Sequence, residues 1–81
     1  MDYHVVDARY VAGYTIWLRF RDGSEGPVDL ERELVGPVFH GLLSLDEFRR
    51  FRIDEVFHTL VWDNGADIAP ESLHARVRVP A

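Results

Sequence analysis

The stretch that decides the fold is Tyr14–Arg21, YTIWLRFR. Tyr14, Ile16, Leu18 and Phe20 alternate with Thr15, Trp17, Arg19 and Arg21. Side chains of an extended chain point to opposite faces in turn, so this alternation predicts a strand with one apolar face on the core. The other face carries Trp17, Arg19 and Arg21. A large aromatic between arginines on an open sheet face has the composition of a protein contact surface. Two plainer readings compete with it. A helix covers that face, or the arginine stems pack across the indole.

The flanks extend this strand into a hairpin. Tyr3–Val11 is rich in Val and Tyr and reads as a preceding strand, broken at Ala12–Gly13. Asp22–Gly23 supplies turn residues that accept positive φ, and a short return strand comes next, near Gly26–Val28. Asp29 then caps a helix of about two turns through Leu30 and Leu34, which Gly36–Pro37 stops. Ser44 with Glu47 fits a capping box, and Leu43 with Phe48 fits the staple beside it. Phe51–Glu55 and Phe57–Trp62 read as a second hairpin.

The segment Trp62–Leu73, WDNGADIAPESL, reads as strand end, turn and helix start. Asp63–Asn64–Gly65 is turn chemistry. Pro70 suits the first helical position, where its missing N–H would be unpaired anyway. Ala69 is then the cap, and Ile68 with Leu73 the staple; a cap at Asp67 is the weaker alternative. The expected architecture is α+β: an antiparallel sheet of about five strands in two hairpins, with short helices on one face.

The chain has 81 residues, a single domain (1–81) with one thin core. It has no cysteine, which excludes disulfides and thiolate chemistry. The net charge is −5, so the broad positive field of a non-specific nucleic-acid binder is absent. No stretch approaches the ~20 apolar residues of a membrane span, and the N-terminal residues do not resemble a signal peptide. A soluble, cytoplasmic protein is expected.

Catalytic and ligand constellations are sparse. In DNGAD the oxygen ligands stop at Asp63, Asn64 and Asp67, short of the roughly six that calcium takes. His4, His40, His58 and His74 show no metal spacing. Ser24, Ser44 and Ser72 lie in no nucleophile elbow. Arg49, Arg50 and Arg52 surround Phe48 and Phe51, a pattern that can stack bases. The flanking Asp46, Glu47, Asp54 and Glu55 cancel much of that field.

Three pieces together, FRDGSEGPVDL (Phe20–Leu30), GPVF (Gly36–Phe39) and LVWDNGADIAPESL (Leu60–Leu73), resemble the small bacterial proteins labelled domain of unknown function 2442. The resemblance implies an α+β fold with helices against an antiparallel sheet. It implies no catalytic residues and no cofactor. It also implies gene context beside another short protein, with a suggested toxin–antitoxin role for the pair. The matched residues Asp22, Gly23, Asp29, Asn64, Gly65, Asp67 and Pro70 read as turn and cap positions, with Ser44 as a further cap.

The functional expectation is a non-catalytic protein-interaction module. It would be homodimeric or the antitoxin-like partner of a small neighbouring protein, with Trp17, Arg19 and Arg21 as its contact face. A small-ligand or metal-binding domain and a nucleic-acid-linked regulator are the alternatives.

Overall fold

A computed structural model describes residues 3–78, with the Arg78 side chain left aside. The chain forms β1 (Val5–Ala12), β2 (Thr15–Phe20) and β3 (Glu25–Asp29), then a 3-10 turn at Glu31–Glu33. Next come α1 (Pro37–His40), a 3-10 turn at Gly41–Leu43 and α2 (Leu45–Phe48). β4 (Arg52–Ile53), β5 (Leu60–Val61) and α3 (Pro70–Arg78) complete it. The protein is thus α+β, with antiparallel pairing throughout. The thin dimension is 19 Å, which accommodates a sheet and a single covering layer.

The five strands do not share one sheet. β1-β2-β3 is a three-stranded meander, and β4-β5 is a separate two-stranded ribbon. The second hairpin expected over Phe51–Trp62 shrinks to two residues per strand. Asp54 is the cause. Its carboxylate accepts the amides of Val56 (2.8 Å) and Phe57 (2.6 Å), so the chain turns where further strand was expected. These amides, Phe57 first, hold the Asp54 carboxyl below the usual carboxylate range. His58 closes the turn at φ 54°, with its ring stacked on His4.

β2 obeys its alternation. Ile16, Leu18 and Phe20 are buried, while Arg19 is exposed and Trp17 half-buried. Ala8 pairs with Leu18 and Tyr10 with Ile16 on the inner face. The β1–β2 register shifts between Val5 and Asp7 and again between Tyr10 and Ala12. Val6 and Val11 fall at these bulges and are exposed. The first bulge lets Val5 and Ala8 both face inward and leaves Val6 outside, whereas Val11 follows inward-facing Tyr10 and points out by plain alternation.

The middle of the chain departs most from expectation. Asp29 accepts the Glu31 amide at 3.0 Å, but the turn it starts is only three 3-10 residues, not two α-helical turns. Pro37 does not stop a helix; it opens α1, behind Gly36 at φ 89°. A proline at a first helical position sacrifices no bond, so the same residue serves as start or stop according to the residues after it. Ser44 stands at the cap position of α2, yet its side chain makes no capping hydrogen bond, so the capping box does not form. Phe48, in α2, is fully buried. Its ring meets Tyr14 edge-on at 5.3 Å and tilts against Trp62 at 5.9 Å. Its carbonyl accepts the Trp62 indole N–H at 2.9 Å, so a buried polar group is satisfied.

Candidate functional site

Two faces of this fold carry chemistry that packing alone does not absorb. The outer face of the meander is the first. Cross-strand registry aligns Arg9, Trp17 and Pro27 in one row and Asp7, Arg19 and Glu25 in the next. The guanidinium groups of Arg9 and Arg19 lie 5.6 and 5.8 Å from the Trp17 ring centroid. Both also reach the Asp7 carboxylate, at 3.5 and 3.6 Å. The indole is therefore flanked by two cations, at a separation where the ring quadrupole attracts them, so arginines lie against Trp17 as the plainer of the readings above expects, and Trp17 itself stays half-buried.

Of the three sequence-predicted contact residues, Trp17 and Arg19 stand together and Arg21 stands apart. Arg21 lies past the end of β2, where its amide donates to the His4 carbonyl and its guanidinium meets the His4 ring at 3.4 Å. Arg9 takes its place beside Trp17. Its position depends on the β1–β2 register, and no local pattern in Tyr3–Val11 announces that register.

The turn residues form the second feature. In Phe20–Ser24 the Asp22 carboxylate accepts the Ser24 amide at 2.9 Å, and Gly23 takes φ 92°. The other Asp22 oxygen lies 2.7 Å from Nε2 of His74, a buried ring on α3. The Ser24 amide, and then the His74 ring, hold the Asp22 carboxyl down at about 2. Tyr3 and Phe20 wall the imidazole edge-on, at 4.8 and 5.0 Å. This pair latches the β2–β3 turn to the last helix. A buried histidine at position 74 was readable only as a helix residue in the sequence, since its acceptor is 52 residues away.

Asn64 does comparable work in the DNGAD turn. Its carbonyl oxygen accepts the Ala66 amide at 3.0 Å, and its amide nitrogen donates to the Val38 carbonyl at 2.9 Å. Gly65 takes φ 91° between them. Asp63 reaches outward to Arg52 at 3.4 Å, and Asp67 is exposed at a bridge to Val61. Pro70 opens α3, with the Ala69 carbonyl accepting the Ser72 and Leu73 amides. Among the described residues no group of three His, Asp or Glu side chains gathers as a metal site.

A family model for a protein of unknown function (DUF2442) matches residues 5–78. The chain belongs to this family. Its span runs from the first residue of β1 to the last of α3, so every turn and latch above lies inside it. Nothing among curated proteins or solved structures matches the chain.

The arginine cluster Arg49, Arg50, Arg52 does not form a stacking platform. Phe48 is buried and Phe51 packs on the core, so their rings are turned away from bases. Arg49 lies over the Tyr10 ring at 4.7 Å, and Arg52 faces Asp63. Among the described residues no helix is long and apolar enough to cross a membrane.

Sequence reasoning missed one display. Val56 and Phe57 are 75% and 68% exposed at the tip of the Asp54 turn, where a strand start was expected for Phe57. The available signal was Asp54 itself, an acid able to collect amides two and three residues on.

Proposed function

We propose that this protein is a non-catalytic interaction domain of the cytoplasm, acting as the partner of a small protein or as a homodimer. The observation that supports it is the clasped indole: Trp17 between Arg9 and Arg19 on the outer face of a three-stranded sheet. Tryptophan and arginine are the side chains that most often dominate binding energy at such faces. Here they are held ready, so little side-chain entropy is lost on contact. A net charge of −5 adds a long-range preference for a basic partner. The antitoxin-like pairing implied by the family resemblance is the specific form of this reading.

The test compares wild type with Trp17→Ala. The tagged chain is used to capture proteins from host lysate, and sedimentation reports self-association. A stoichiometric partner or dimer weakened by about tenfold or more in the variant is expected, the usual signature of a hot-spot residue. Unchanged affinity in a folded variant overturns the assignment of Trp17. A wild-type chain that is monomeric and captures nothing overturns the interaction reading itself.

A further inference from the structure

The Asn64–Gly65 pair carries a reactivity that the fold holds in check. A backbone nitrogen that follows asparagine can attack the side-chain carbonyl carbon. A C–N bond forms and closes a five-membered succinimide. The Cγ–Nδ2 bond breaks, and ammonia leaves with the proton of the attacking N–H. Water then opens the ring at either carbonyl and leaves aspartate or isoaspartate. A side chain on the following residue obstructs this approach, and Gly65 has none. Both residues are exposed, so base and water reach them.

Hydrogen bonds, not burial, oppose the reaction. The Gly65 N–H is the attacking group, and it donates to the Trp62 carbonyl at 3.1 Å. The Asn64 nitrogen is the leaving group, and it donates to the Val38 carbonyl of α1 at 2.9 Å. The Asn64 oxygen accepts the Ala66 amide at 3.0 Å. Attacking and leaving nitrogens are thus tied to different parts of the chain, and both ties must be given up before ammonia departs. The products cannot restore them. Aspartate sets a carboxylate oxygen where Nδ2 met the Val38 carbonyl, acceptor against acceptor. Isoaspartate adds a backbone methylene between Trp62 and Ala66, inside the turn where the Trp62 amide donates to the Ala66 carbonyl at 2.9 Å.

We propose that Asn64–Gly65 is a self-modification site. It deamidates through the succinimide at a rate set by opening of the DNGAD turn, and the product releases α1. The change runs one way, so the turn records how long the chain has spent open. This chemistry is independent of the interaction reading above.

The test incubates the full chain at mildly alkaline pH, native in one sample and unfolded in guanidinium chloride in the other. Peptide mass spectrometry reads the conversion of amide to acid at position 64. The native chain is expected to react at least about tenfold more slowly, since the open turn is a minor population. Its rate should follow hydrogen exchange of the Gly65 amide, which reports the same opening. In guanidinium chloride Gly65→Ala is expected to slow conversion strongly, because the added methyl group obstructs ring closure whatever its effect on the fold. Asn64→Asp supplies the aspartate product directly and is expected to shift the amides of Val38–Gly41 and leave the Ala66 amide protected. Equal rates in folded and unfolded chain would overturn the gating by the turn. A Gly65→Ala chain that converts as fast as wild type when unfolded would overturn the succinimide route. Amides of Val38–Gly41 unmoved in Asn64→Asp would overturn the release of α1.

Discussion

Asn64→Ala is the most informative single change in the DNGAD turn. Two hydrogen bonds end on this side chain, and they have different consequences. Loss of the carbonyl oxygen orphans the amide of Ala66, a residue only 1% exposed. Loss of the amide nitrogen frees the Val38 carbonyl and with it the anchor of α1. Each bond contributes about 1 kcal/mol net, so the variant is expected to lose about 2 kcal/mol. For a domain of this size that lowers the melting temperature by about 8–16 °C. Asn64→Asp separates the two effects. It keeps an acceptor for Ala66 but cannot donate to Val38. The assay is a thermal melt together with amide hydrogen exchange. Ala66 is expected to lose protection in Asn64→Ala and to keep it in Asn64→Asp. A melting temperature within about 2 °C of wild type would refute the energetic reasoning. An Ala66 amide equally protected in wild type and Asn64→Ala would refute the assigned bond.

The core and the latch give two further outcomes. Phe48→Ala removes a fully buried ring and is expected to cost about 3–5 kcal/mol, read by urea denaturation. A chain of this length has only roughly 4–12 kcal/mol in total, so much of the variant should be unfolded when warm. Acid should act through Asp22. Its carboxyl is held at about 2, against an ordinary 3.8, so between those values the unfolded chain binds more protons than the folded one. Its contribution is complete above about 3.8 and is lost as pH falls towards about 2. Asp22→Asn should flatten that part of the stability–pH curve, measured by denaturation at stepped pH; an unchanged curve would show that the ionised Asp22 carboxylate contributes nothing to stability.

The legible parts of this protein are those whose cause is local. Alternation in Tyr14–Arg21 places Ile16, Leu18 and Phe20 inside because an extended chain has a period of two wherever it lies. Asp22–Gly23 and Asn64–Gly65 turn because their side chains collect nearby amides and their glycines accept positive φ. Pro70 starts α3 because it lacks the N–H that a first helical residue does not use. These residues set the strand, the turns and the helix start without reference to the rest of the fold.

The candidate surfaces were only half legible, and the missing half is long-range. Trp17 and Arg19 come from alternation, but Arg9 joins them only through a register that bulges at Val6 and Val11 decide. His74 finds Asp22, and Asn64 finds Val38, across separations that no local pattern encodes. The expected second hairpin shrinks to two residues per strand because Asp54 competes for amides that a longer β4–β5 pairing would have needed. Pro37 opens a helix instead of ending one because the Gly36 carbonyl accepts the His40 amide. The sequence by itself determined the faces of β2 and the places where the chain turns, since those depend on bonds reaching a few residues. Which side chains meet on the outer face, and which apolar residues remain uncovered, was decided only when distant segments competed for the same small core.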